Sequence, residues 1–144
     1  MRLRTSVLSL ALGVALTSCH AASTTLPKGP TRIALTMTEY SFAHPAAVPR
    51  GRAVIRFHNA GRVAHRFVLI PLPAGFPPIR EQLRRPERAV VSPLAGVVDQ
   101  PPDASGAMAV ELLPGRYGLV CYAVDRGDGQ SHALKGMASE IRVR

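Results

Sequence analysis

Residues 114–137 read PGRYGLVCYAVDRGDGQSHALKGM and place Cys121, His132 and Met137 in that order. Upstream, residues 59–70 read NAGRVAHRFVLI and carry His65, 56 residues before Cys121. One thiolate, two imidazoles and a weak thioether form a donor set suited to copper, because soft sulfur ligands in a constrained trigonal geometry serve both Cu(I) and Cu(II). No other four residues of the chain rival this set. Donors from two distant segments can converge at one end of a β-sandwich, where the surrounding strands hold the geometry while the metal changes charge.

The pattern around these segments is that of strands. In residues 31–39, TRIALTMTE, Ile33, Leu35 and Met37 alternate with Arg32, Thr36 and Thr38, the period of a half-buried strand. Residues 53–58 repeat it, with Ile55 and Phe57 inward and Arg56 and His58 outward. Turn chemistry follows at residues 59–61, and residues 64–70 return as the strand bearing His65. His44, before Pro45, reads as a loop residue.

Residues 71–104 hold eight of the 13 prolines, which excludes a continuous central strand there. A structureless loop of that length is unusual in a compact domain. A short helix at residues 79–85 would put Ile79 and Leu83 on one face at i, i+4. This insertion either caps the metal end, with Phe76 as an apolar lid, or covers another surface. Residues 107–112 and 116–124 read as adjacent strands joined at Pro114-Gly115, with Tyr117 as a corner-anchoring core tyrosine. Residues 137–143 close the sheet. The expected architecture is an all-β, antiparallel Greek-key β-sandwich with one Pro-rich insertion containing a short helix.

Residues 40–70 and 113–143 resemble the two halves of a cupredoxin, the plastocyanin-like blue copper fold. The resemblance implies His65, Cys121 and His132 as equatorial copper ligands and Met137 as the axial one. It further implies single-electron transfer, with the edge of His132 as portal and Ala133, Leu134 and Phe76 as a docking rim. The chain departs from the family pattern at three places. Ten residues separate Cys121 from His132, a long loop for this family. The extra residues 125–130, DRGDGQ, either form a projecting hairpin tip or carry His132 away from Cys121. Arg66 follows the upstream histidine where Asn is frequent, and Tyr122 follows the cysteine where a small hydroxyl residue is common, so the groups that orient the ligands must differ.

The N-terminus reads as an export signal over residues 1–18: Arg2 and Arg4 precede an apolar run at residues 7–16 that is too short for a permanent span. Residues 16–19, LTSC, resemble a lipobox, making Cys19 the lipidated residue; the alternative is cleavage after a small residue such as Ala22. With Cys19 as anchor, residues 19–30 read as a flexible tether and residues 31–144 as the cupredoxin-like domain. Cys121 is then unpaired in an oxidising compartment, where a thiol must be buried or metal-bound. A Cys19–Cys121 disulfide would tie the signal-peptide end to a sheet strand.

The chain carries 18 Lys and Arg against nine acids, and without Arg2 and Arg4 the formal charge is about +7, enough to steer partners. Arg62 and Arg66 flank His65, and Arg80, Arg84, Arg85 and Arg88 form a second cluster. An exported, anchored protein without a recognition motif is not expected to bind nucleic acid. An acidic redox partner or anionic lipid head groups fit the charge better; a solvated basic surface is the bland alternative.

The expected function is therefore a monomeric, membrane-anchored electron carrier, periplasmic or at the cell surface, holding one copper ion. Catalysis is not expected: only His20, His44 and His58 remain for a second copper, and no His-x-His pair exists. A copper-free binding module or a copper-handling lipoprotein is the alternative.

Overall fold

Alternating apolar residues need a surface to face, and in the computed structural model, which describes residues 29–86 and 92–144, two stacked sheets supply it. The expected signal peptide (1–18), the Cys19 anchor, nearly all of the tether and Arg88 lie outside the described residues. The strands are β1 (Thr31–Thr38), β2 (Ser41–Ala43), β3 (Ala47–Val48), β4 (Gly51–Asn59) and β5 (His65–Leu72), then, after helix α1 (Ile79–Gln82), β6 (Ala95–Gln100), β7 (Ser105–Leu112), β8 (Gly115–Val120) and β9 (Ala138–Val143). One sheet has the order β2-β1-β4-β7 and the other β3-β9-β8-β5-β6.

The sandwich is as expected, but the sheets are mixed: β1 pairs with β4 and β3 with β9 in parallel. The cause is the path between β1 and β4. After turning back as β2, the chain crosses to the second sheet as β3 and re-enters the first from the end where β1 began. A second correction concerns β7 and β8. They are not paired neighbours, because β7 pairs with β4 and β8 with β5 and β9. Leu113 and Pro114 therefore carry the chain from one sheet to the other.

Between the sheets, Ile33, Leu35 and Met37 of β1 and Ala53, Ile55 and Phe57 of β4 join Phe67, Leu69, Leu119 and Ile141 in one core. Burial with a period of two is what a sheet facing another sheet requires. Phe57 and Phe67 meet edge-on across the layers, with centroids 5.7 Å apart. Gly106, in register with Phe57, leaves room for that ring: a Cβ there would lie 2.4 Å from Phe57 Cζ. The Tyr117 hydroxyl donates to the Leu113 carbonyl at 2.9 Å and accepts from the Leu113 amide at 3.1 Å, confirming the corner tyrosine.

Within the Pro-rich insertion, helix α1 packs on the outer face of the second sheet, while residues 95–100 join that sheet as its edge strand β6. Ile79 and Leu83 share a face, as the spacing predicts, and pack with Ile70, Val120, Ala133 and Ala138. Arg116 pairs with Glu140 at 2.9 Å, Glu140 accepts the Ile79 amide at 2.7 Å, and Arg116 donates to the Phe76 carbonyl at 2.9 Å. Phe76 is thereby held beside Arg116, which lies five residues before Cys121 and so about 16 Å from it along an extended strand. It is no lid over the candidate ligands, and α1 covers a flank.

Candidate metal centre

His65 opens β5, and Cys121 is the first residue after β8, so two neighbouring strands present them at the same end of the second sheet. His132 arrives on the loop between β8 and β9. That loop resolves the alternative left by its length. Asp125 and Gln130 are joined by an amide-to-carbonyl bond of 2.8 Å, Gly129 donates to the Asp125 carbonyl at 3.0 Å, and Val124 bridges Ser131. The surplus residues form a hairpin tip that projects outward. At its base, the His132 amide donates to the Ala123 carbonyl at 2.8 Å and the Ala133 amide to the Cys121 carbonyl at 2.9 Å.

The ligand atoms of His65, Cys121 and His132 all lie within 4.8 Å of one another, and all three residues are buried. The two Nδ1 atoms are 3.1 Å apart, and Cys121 Sγ is 3.6 Å from His132 Nδ1. Met137 is fully buried and tied to both neighbours through its backbone: its carbonyl accepts the Cys121 amide at 3.1 Å and its amide donates to the His132 carbonyl at 2.9 Å. His44 and His58 are elsewhere, bonded to Ser139 and Ser105.

Burial dominates the electrostatics of the three donors. It lowers the pKa of His65, with the neighbouring His132 adding to the effect, and Glu39 only partly offsets it. Burial likewise lowers His132 and raises the Cys121 thiol, against the pull of the Arg66 and Ala123 amides. Burial thus favours neutral imidazoles and opposes ionisation of the thiol, and a metal that takes nitrogen and thiolate donors would supply the charge that favours the thiolate. The soft, compact S,N,N set favours copper or zinc over hard cations.

Several supporting groups carry no sequence signature. The Arg66 amide points at Cys121 Sγ, at 3.4 Å. Its side chain turns outward to Asp99, with contacts of 2.5 and 2.8 Å, so Arg66 supplies a backbone contact to the sulfur. The bracing of the upstream loop falls to buried Asn59, whose Nδ2 donates to the Val63 and Gln100 carbonyls at 2.9 and 2.8 Å and whose Oδ1 accepts the Gly61 amide at 2.9 Å. Lys135 fastens the hairpin tip, reaching Asp125 at 2.6 Å and Asp128 at 2.7 Å. Tyr40 donates to Asp125 from the other side, and its ring stands edge-on to His132 at a centroid distance of 4.8 Å. Lys135 and then Tyr40 hold the Asp125 carboxyl far below the usual carboxylate range. Proximity in sequence would have found the Lys135 pairs with Asp125 and Asp128 and the Asn59 contacts to Gly61 and Val63, but not the Tyr40, Asp99 or Gln100 partners.

The expected rim needs correction. Leu134 is exposed, but Ala133 is buried under α1, and Phe76 is at the far end. Val63, Tyr122 and Val124, each at least 38 % exposed, stand with Leu134 on the segments that carry the ligands. His132 itself is only 2 % exposed.

No family model matches the chain, and no curated protein matches it in sequence. The structure, however, is similar to auracyanin from Roseiflexus castenholzii, with a TM-score of 0.56 and 19% identity over 79% of this chain and 97% of that one. Rusticyanin from Thiobacillus ferrooxidans gives a TM-score of 0.56 and 18% identity, covering 81% of this chain and 79% of that chain. Auracyanin A from Chloroflexus aurantiacus, a blue copper protein, gives 0.52 and 15% identity over 81% and 100%. The chain has the cupredoxin fold.

Proposed function

We propose that this chain is a membrane-anchored blue copper protein that passes single electrons between redox partners. The convergence of His65, Cys121 and His132 at a buried point of a cupredoxin sandwich carries the reading. Bound copper would supply the one-electron chemistry. His65, Cys121 and His132 would hold it, with the Met137 thioether as a fourth, weaker donor that would tune the potential. The chain's own part is to keep this geometry through the redox change. Strand pairing does so for His65 and Cys121, and the hairpin base and the Lys135 anchor do so for His132.

The site also speaks against the alternatives. The long loop that motivated a copper-free binding module folds away from the ligands, and the donors are buried, unlike the exposed clusters expected for copper delivery. Catalysis would need a second metal, and the remaining described histidines stand away from the site.

Anchoring at Cys19 fits the geometry of the domain. The described chain enters β1 beside Ala53, at the end opposite the ligands, so a lipidated tether attached there leaves the copper end of the exported domain free, in the periplasm or at the cell surface. Exposed Arg50, Arg52, Arg142 and Arg144 cluster at the entry end, within reach of anionic head groups. At the copper end, Arg62, Arg66, Arg126 and Lys135 are interleaved with Glu39, Asp99, Asp103, Asp125 and Asp128. A redox protein therefore docks there through the apolar Leu134, Val124 and Tyr122 surface, with charge setting its orientation, and the carrier works as a monomer.

The test is copper titration of the metal-free protein beside its Cys121→Ser variant. The wild type takes up one copper with an intense thiolate-to-copper visible band, and the variant lacks that band. Retention of the band in the variant would sink the assignment.

A further inference from the structure

His65 Nε2 points away from the metal side into a buried position where it has no hydrogen-bond partner, an unusual state for a buried nitrogen. The acceptor aimed at it is Glu39, whose Oε1 is 3.6 Å away, an ion-pair separation rather than a closed hydrogen bond. Glu39 is held in that place from the other side. The same oxygen accepts the amides of Arg62 and Val63, the latter at 3.0 Å. Both donors belong to the turn that leads into His65, so carboxylate and imidazole are registered to one another through three successive residues.

Gly61 completes the arrangement. A Cβ there would stand 2.6 Å from Glu39 Oε1, 2.8 Å from His65 Nε2 and 3.1 Å from Asn59 Oδ1. Its backbone is not in the left-handed region, so the glycine answers a need for space: a side chain would wedge between the carboxylate and the ring. The glycine that reads in the sequence as turn chemistry thus keeps open the contact between Glu39 and His65.

Metal-bound imidazoles commonly give their second N–H to a carboxylate or carbonyl, which fixes the tautomer and raises the basicity of the ligand. We propose that Glu39 is a positioning residue for the copper site: its carboxylate accepts Nε2–H of His65, commits Nδ1 to the metal side, and places a negative charge behind the ligand. In the metal-free chain the 3.1 Å contact between the two Nδ1 atoms is then donated by His132 to His65. The charge behind the ring favours Cu(II) over Cu(I), so it lowers the reduction potential. The second half of this inference rests on the copper reading; the first does not.

Two measurements separate them. In the metal-free full chain, ¹⁵N shifts of the His65 imidazole at neutral pH report the Nε2–H tautomer, and Glu39→Ala and Gly61→Ala shift the ring toward the Nδ1–H form. An Nδ1–H tautomer in the wild type, or no change in either variant, overturns the positioning role whether or not copper binds. In the copper-loaded chain, Glu39→Gln, which keeps the shape and an accepting oxygen, raises the reduction potential while the melting temperature of the metal-free form stays near that of the wild type. A potential equal to the wild type's in both Glu39→Gln and Gly61→Ala overturns the electrostatic role. A wild type that binds no copper would refute the electron-carrier reading and leave the tautomer measurement to decide the rest.

Discussion

Acidifying the metal-free protein should weaken it before any carboxylate is protonated. His65 and His132 are 0 % and 2 % exposed, and burial holds both pKa values below the ordinary value of 6.5. The unfolded chain protonates these imidazoles as pH falls through about 6.5, whereas the folded chain resists, so the unfolded state binds more protons and stability falls with pH. If neither ring takes a proton in the folded state, each loses about 2 kcal/mol between pH 7 and pH 5, about 4 kcal/mol for the pair. This upper limit is a large part of a typical 5–15 kcal/mol.

The carboxylates do not mask the effect. Glu39, Asp99, Asp125, Asp128 and Glu140 have lowered pKa values, so their stabilisation is complete above the unfolded value, roughly 4, and is lost only as pH falls through the lower folded values. The assay is urea unfolding of the metal-free chain at half-unit steps from pH 7 to 5, repeated with His132→Phe. Stability declines with falling pH in the wild type and about half as steeply in the variant. Stability that is flat or rises toward pH 5 in the wild type would refute the claim that the ligands are kept neutral by burial.

Other perturbations address the scaffold. Lys135→Met removes the contacts to Asp125 and Asp128 and should speed amide hydrogen exchange at Gly129 and Gln130 while strands β8 and β9 keep their protection; an unchanged exchange pattern contradicts the anchoring role. Gly106→Ala forces the Phe57 ring to retreat from a 2.4 Å approach and should cost about 1–3 kcal/mol as overpacking, partly relieved by adding Phe57→Leu; thermal unfolding of the single and double variants reads both. Tyr117→Phe removes the hydroxyl that bridges the Leu113 amide and carbonyl and should cost about 0.5–1.5 kcal/mol in denaturant unfolding, with copper uptake unaltered.

The sequence showed the ligands more clearly than what supports them. Cys121, His132 and His65 were legible because a rare chemistry demands a rare ordered set, and Ile33, Leu35, Ile55 and Phe57 because a strand repeats every two residues. Tyr117 and the Ile79–Leu83 face followed from similarly local patterns. Pairing partners did not, since β7 and β8 are neighbours in the chain yet lie in different sheets, and the parallel β1–β4 pair depends on a crossing that no local pattern encodes. Glu39 stands at the polar end of a strand pattern, and no pattern in the sequence singles out Lys135. Their roles arise from residues 23 to 26 positions away for Glu39, and 95 for the Lys135–Tyr40 contact, distances over which single-sequence patterns are silent. The fate of residues 125–130 was undecidable for the same reason: what fastens the tip is partly Tyr40.

X-ray absorption at the copper edge on the loaded full chain tests the central claim most directly. The account predicts one copper per chain with one short sulfur and two nitrogen neighbours, and loss of the short sulfur contact in Cys121→Ser. A copper surrounded only by nitrogen and oxygen, or the same spectrum in the wild type and the variant, would contradict it.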